Sequence, residues 1–203
     1  MIPSCPTLTW VTIKHSMSAT TPVREKQEIG LPVPDFTLPL ISGEGQRSLA
    51  GFLDGKQGAV VLFWSGLCSH CVRYDDYLNR FAARHPELGL VALASRYGET
   101  ADQIRTIAAE RKLAFPILHD PPGAVARQWY TQQTPRAFLI DRDRKLLYRG
   151  AIDNFKFPED SDYQAYLEPA IASFLAGQPI ARQETASFGC AIQSVYYILP
   201  NPL

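Results

Sequence analysis

Apolar positions along the chain switch between two periods, and the switching predicts strands alternating with helices. Val60-Val61-Leu62-Phe63-Trp64 is a continuous apolar run, which reads as a central strand buried on both faces of a parallel sheet. Ser65 and Gly66 then let the chain turn, after which Tyr74, Tyr77, Leu78, Phe81 and Ala82 recur at helical spacing. Pro86 and Gly89 break that helix before a second buried strand, Leu90-Val91-Ala92-Leu93-Ala94. Thr100 with Gln103 forms a capping box, and Ile104, Ile107, Ala108 and Arg111 continue a helix from it. This rhythm of strand and helix points to βαβ units with right-handed crossovers.

The flanks are read in the same way. Two prolines and Asp35-Phe36-Thr37-Leu38 give an entry segment with a short alternating strand. Gly43 and Gly45 turn the chain, and Leu49, Phe52 and Leu53 make one helical turn. Pro116-Ile117-Leu118-His119 is a third short strand, followed by a brief helix over 123–130 with Ala126 and Trp129 inward. Thr134 to Asp141 is a strand that begins with a proline, where a proline is tolerated because no ladder N–H is needed. A polar turn without glycine then returns Leu146-Leu147-Tyr148 as a hairpin partner. A last helix runs from Tyr163 through Tyr166, Leu167, Ala170, Ile171 and Phe174 to Leu175, with Gly177 as its stop and Pro169 as a kink or a reset of its start. From Gln178 onward no period is visible. The domain expected is 30–177, with an N-terminal extension over 1–29 and a C-terminal tail over 178–203.

Composition narrows the partners. The 203 residues carry 20 basic and 20 acidic side chains, interspersed and summing to zero, so neither a nucleic-acid stripe nor a charged tail is present. No apolar run is long enough to span a membrane, and a soluble protein is expected. Residues 1–21 lack a basic segment followed by an apolar core, so no secretory signal is visible. The compartment is left open, cytoplasmic being the reading from the absence of a visible signal, and Met17 is an equally good start. Four cysteines, Cys5, Cys68, Cys71 and Cys190, are too few and too uneven for a disulfide scaffold. They divide into one functional pair and two singles, with Cys5 a thiol in a loose tail.

The pair Cys68-Ser69-His70-Cys71 falls between a strand and a helix. The first turn of a helix leaves N–H groups unpaired and carries the positive end of the dipole, which favours a thiolate. A leading cysteine in such a setting has its pKa lowered from about 8.5 to ~3.5–7.5. Cys68 is therefore the candidate nucleophile. Cys71, one turn later on the same face, is placed to close a disulfide and release a bound partner. His70 between them is a candidate tuning residue, because an imidazolium there stabilises the thiolate and makes the pair more oxidising. Its bland alternative is a solvent-facing first-turn side chain.

Pro34-Asp35-Phe36, Val61-Leu62-Phe63-Trp64, Cys68-Ser69-His70-Cys71, Thr134-Pro135 and Phe138-Leu139-Ile140-Asp141, taken in order, resemble the thioredoxin-like redoxins. That group includes the alkyl hydroperoxide reductase/thiol-specific antioxidant proteins and the thiol-disulfide interchange proteins. The resemblance implies an α/β thioredoxin-like fold with a four- or five-stranded mixed sheet and helices on both faces. It implies a cis Thr134–Pro135 bond lying against the cysteines, with Thr134 offering backbone hydrogen bonds to a substrate chain. It implies thiol-disulfide exchange with protein or small thiols, an electron donor it does not identify, no organic cofactor or metal, and an extracytoplasmic site as the alternative location. Four positions depart from the group: Leu67 for its tryptophan, Ser69 for its proline, Leu62 for its buried acid and Tyr74 for a glutamate. The resemblance therefore supplies no group to deprotonate Cys71. Glu184-Thr185 and Gly189-Cys190 also resemble a C-terminal signature of some bacterial redoxins.

Other readings stay open. A thiol peroxidase would use Cys68 as its peroxidatic thiol with Ser65 polarising the peroxide, but the arginine it needs falls at Pro135. A zinc site would need two more ligands. Copper binding with Cys190 or His119 fits soft thiolates, although such proteins favour a wider cysteine spacing. A redox-inert binding module would not need both cysteines. Cys190 itself is a third redox cysteine, a resolving thiol reaching in from the tail, or a packed hydrophobe. Phe63, Trp64 and Trp129 are read as core, Arg136 as an exposed strand-end residue, and His15, His85 and His119 as residues without a role.

Overall fold

A computed structural model of the chain describes residues 27–121, 123–156 and 161–193. Cys5, His15, Met17, Pro200 and Pro202 lie outside them. The elements in order are β1 (Thr37–Pro39), β2 (Gln46–Ser48), α1 (Leu49–Leu53), β3 (Gly58–Trp64), α2 (Ser69–Val72), α3 (Asp75–Arg84), β4 (Leu88–Ala94), α4 (Ala101–Glu110) and β5 (Ile117–His119). After them come α5 (Ala124–Gln128), β6 (Gln133–Thr134), β7 (Arg136–Asp141), β8 (Leu146–Gly150), α6 (Leu167–Leu175) and β9 (Cys190–Ala191).

Five strands form a mixed sheet in the order β5-β4-β3-β7-β8. β3 pairs parallel with β4 and antiparallel with β7, which puts the most apolar strand at the centre. Successive side chains of a strand point to opposite faces, and β3 divides accordingly. Val60, Leu62 and Trp64 face a core with Phe81 of α3, Ile104 of α4 and Ile171 of α6, in which Cys68 and Cys71 also sit. Ala59, Val61 and Phe63 face a second core with Leu49 of α1, Val125 of α5, Trp129 and Phe138. This is the α/β thioredoxin-like architecture, with helices on both faces. The capping box forms as the sequence predicts, with Thr100 and Gln103 bonding reciprocally. The glycine-free turn after β7 is closed by Asp141, whose carboxylate accepts from the N–H groups of Asp143 and Lys145, while Arg144 takes the left-handed conformation.

Two helices differ from their prediction. The helix expected to run on from the cysteines is broken at Arg73 and Tyr74, leaving α2 only four residues long. Both residues at the break are held by the segment after β8. Tyr74 donates its hydroxyl to Asp153 at 2.6 Å, and the Arg73 guanidinium donates to the Phe155 carbonyl and lies 4.0 Å from its ring centroid. α6 starts at Leu167 rather than Tyr163, which puts Pro169 in the first turn, where its missing N–H costs nothing.

Residues 178–193, which have no hydrophobic period, are nonetheless tied to the domain. Arg149 and Thr185 exchange backbone bonds with the chain at 183–185, Ile192 bonds Gln132 and Tyr97, and β9 pairs antiparallel with β6. Among the described residues no helix is long and apolar enough to cross a membrane.

Candidate active site

β3 delivers the chain to the loop Ser65-Gly66-Leu67, and the loop aims the cysteines. Cys68 is the N-cap of α2, its N–H donating to the Ser65 carbonyl at 3.2 Å, and the Cys71 N–H donates to the Cys68 carbonyl at 2.9 Å. The loop is braced from α4 and its entry. Arg111 donates to the Gly66 carbonyl while forming a two-bonded pair with Asp75. Glu99, 4 % exposed, accepts from the Leu67 N–H at 3.2 Å, and burial raises its pKa. Its other carboxylate oxygen has no hydrogen-bond partner among the described residues. The Ser65 hydroxyl accepts from the Leu67 N–H at 3.2 Å, within the loop.

On the other side stands Thr134–Pro135, joined by a cis bond. The protonated Cys68 thiol donates to the Thr134 carbonyl at 3.3 Å. The ionised form is favoured overall. A hydrogen bond from the Cys71 thiol, with smaller ones from Cys190 and Thr134, outweighs burial and pulls the Cys68 pKa down to about 4. Burial and the adjacent Cys68 charge push the Cys71 thiol up. The cause is therefore a set of local donors, not the dipole of a long helix, because α2 has a single turn. Cys68, Cys71 and Cys190 are all free thiols, and the first two are completely covered.

His70 is half-exposed, with its ring edge-on to Phe188 at 5.0 Å. Cys190 is brought to the pair by β9, where it stands opposite Thr134 and packs against the core that holds Cys68 and Cys71. A groove of about 700 Å³ opens beside Pro135, lined in part by Tyr74, Asp153, Phe155, Arg182 and Phe188. The tyrosine that replaces a glutamate thus brings an acid with it, since Asp153 holds its hydroxyl.

Not all of these residues carry a sequence signal. Phe188 adjoins the Gly189-Cys190 pattern, but Glu99 and Asp153 sit in loops with no pattern of their own. Arg136, expected at an exposed strand end, is half-buried with its guanidinium 6.0 Å from the Phe138 ring centroid, and burial lowers its pKa. His119 bonds the carbonyl of Glu99, the residue that braces Leu67, and His85 bonds Glu168. Among the described residues no group of three or more His, Cys, Asp or Glu is arranged to hold a metal ion.

The model of the AhpC/TSA family matches residues 29–149. The thiol-disulfide oxidoreductase ResA of Bacillus thuringiensis subsp. konkukian is 28% identical over 123 residues, 61% of this chain and 69% of the relative. The thiol:disulfide interchange protein DsbE of Escherichia coli K12 is 28% identical over 132 residues, 64% of this chain and 68% of the relative. The crystal structure of a hypothetical protein from Sinorhizobium meliloti superimposes with a TM-score of 0.74 at 28% identity, covering 84% of this chain and 97% of that one.

Proposed function

The chain belongs to the AhpC/TSA family and is an oxidoreductase acting on thiols and disulfides, and within that class we propose that Cys68 and Cys71 are the exchanging pair. The observation that carries the reading is the placement of a low-pKa Cys68 between Cys71 and the cis Thr134–Pro135 loop.

The Cys68 thiolate attacks one sulfur of a substrate disulfide, forming a mixed disulfide and expelling the other sulfur as a thiolate. That step consumes the Cys68 charge. Two of the causes that hold the Cys71 proton in place, the bond to the Cys68 thiolate and its charge, disappear with it. Cys71 then loses its proton more easily and attacks Cys68, closing the Cys68–Cys71 disulfide and releasing the substrate dithiol. The substrate gains two electrons and the pair loses two, which an external electron donor restores. Thr134 and Pro135 form the wall of the substrate groove, with protein or small thiols and disulfides as partners. His70 is the tuning residue, since an imidazolium between the cysteines favours the thiolate.

A peroxidase reading draws less support, because the cis-bonded Pro135 stands where that reading needs its arginine. Exchange on an insulin-type disulfide tests the proposal. Cys68→Ser abolishes turnover, and Cys71→Ser accumulates mixed disulfides with the substrate. Wild-type rates in Cys68→Ser would sink the reading.

A further inference from the structure

We propose that Cys190 is a third exchanging thiol, carried into the groove on the chain's own strand β9, and that Cys68 alternates between a disulfide with Cys71 and one with Cys190. The inference rests on the Cys68–Cys71 reading and gives that pair an internal partner.

Strand β9 sits as a bound chain would. Cys190 is opposite Thr134, and Ala191 opposite Gln133, in an antiparallel pair against the residue that precedes the cis proline. The Thr134 hydroxyl donates to the Cys190 carbonyl at 3.5 Å, and the Ile192 N–H donates to the Gln132 carbonyl at 2.9 Å. The approach is close enough to require glycine, because a Cβ on Gly189 would lie 1.9 Å from the Thr134 carbonyl oxygen. In this pose Cys190 packs against the core that holds Cys68 and Cys71, and the carbonyl of Thr134, the residue it faces across the strand pair, accepts from the Cys68 thiol at 3.3 Å.

The pose is anchored at both ends. On one side Arg149, its side chain 4 % exposed, is paired with Glu184 at 2.5 Å, and the Thr185 hydroxyl accepts from the Ala151 N–H and bonds the Tyr148 hydroxyl. On the other side Ile192 is buried in the core under α5, and the Tyr97 N–H donates to its carbonyl. A cysteine needed only as packing would not require its strand to be fixed in the groove, nor its sulfur to face the nucleophile.

The exchange needs no outside oxidant. Once substrate has left the Cys68–Cys71 disulfide, the Cys190 thiolate attacks the Cys68 sulfur. The Cys68–Cys190 bond forms as the Cys68–Cys71 bond breaks, and Cys71 leaves as a thiolate that takes the proton Cys190 gave up. Electrons are conserved, and reversal regenerates the original disulfide. The Cys68–Cys190 form stores the oxidised state with the groove closed.

The test is disulfide mapping on the full chain. Wild type and Cys71→Ser are equilibrated in oxidised and reduced glutathione, quenched with acid, alkylated and digested with trypsin. Cys68 and Cys71 fall in the peptide 57–73, and Cys190 falls in the peptide beginning at Gln183. The expected result in wild type is a mixture of peptide 57–73 closed on itself and peptide 57–73 linked to the Cys190 peptide. In Cys71→Ser at ~1 mM glutathione, the linked form exceeds glutathionylated Cys68 by about tenfold or more, because the tethered thiol competes at a high effective concentration. Glutathionylated Cys68 without the link in Cys71→Ser overturns the proposal. So does a link in that variant with none in wild type. Either result leaves the pair reading standing if wild type closes the disulfide within 57–73. Absence of both disulfides in wild type overturns the pair and the proposal together.

Discussion

Gly189→Ala separates a strand that is fixed over the nucleophile from one that merely lies near it. The added Cβ would stand 1.9 Å from the Thr134 carbonyl oxygen, 2.8 Å from its carbon and 3.1 Å from Pro135 Cδ. Two of these are backbone atoms of Thr134, next to the cis bond to Pro135, so relief of the clash moves the strand away from them. Overpacking of this kind costs about 1–3 kcal/mol. Charged to the closed position alone, it raises the open population by roughly 5- to 150-fold, at about 1.4 kcal/mol per factor of ten. Cys68 is fully covered in the closed form, so its alkylation by iodoacetamide at neutral pH proceeds through opening and reports that population. Lifting β9 also carries Cys190 away from the core that holds Cys68. The thiolate fraction hardly changes, because a pKa of about 4 has to climb by some three units before it matters at neutral pH. The assay is the alkylation rate of peptide 57–73 by mass spectrometry, with the urea midpoint as a check on folding. A rate within twofold of wild type in a folded protein would refute the reasoning.

Three further outcomes follow from the same contacts. Glu184→Gln leaves the Arg149 guanidinium buried without its carboxylate, which is expected to cost about 1–3 kcal/mol in urea unfolding and to speed Cys68 alkylation; unchanged values of both would contradict it. Cys71→Ala removes the largest influence holding the Cys68 pKa down, so the thiolate absorbance of Cys68 should titrate at a higher pH than in wild type, and an unmoved titration would place the cause elsewhere. Because the Cys68 pKa is depressed from 9.0 to about 4 in the folded chain, the unfolded chain binds the extra proton between those values, so its contribution to stability is full above about pH 9 and fades as pH falls to about 4. The stability gap between wild type and Cys68→Ser should therefore narrow as pH is lowered across that window, and a gap that stays constant would show that the charge of Cys68 does not stabilise the fold.

What could be read from the sequence was local. The β3 run, the Thr100 capping box, the short helix around Ala126 and the stop at Gly177 are each determined by neighbours within a few residues, and each appears in the structure. The misread features all have distant partners. Helical period carries Tyr74 smoothly into one long helix, yet its hydroxyl is held by Asp153, 79 residues away, and the helix breaks there. Residues 178–193 lack a period because their docking rests on backbone bonds to Gln132, Thr134 and Arg149, which impose no apolar alternation. The cysteine pair was legible from its place between strand and helix. The acids near it were not, since Glu99 and Asp153 approach from loops whose only requirement is to end in the right place.

The tail and the nucleophile define a common constraint on anything that reaches the site. On the proposed mechanism a substrate chain has to displace β9 before it can meet Cys68, and the strand it displaces is already paired with Thr134. Its gain on binding is therefore a difference between two similar sets of hydrogen bonds, each bond worth little net because another takes its place. Discrimination then falls to side chains, in the groove of Tyr74, Asp153, Phe155 and Arg182, and to shape, since the chain preceding an incoming cysteine meets the same Thr134 carbonyl that leaves no room for a Cβ at Gly189. On the same proposal, a strand that mimics a substrate turns a reactive thiolate at neutral pH into one that reacts only when a competitor of the right form arrives. That requirement gives a physical reason for a thiol as acidic as Cys68 to be completely buried.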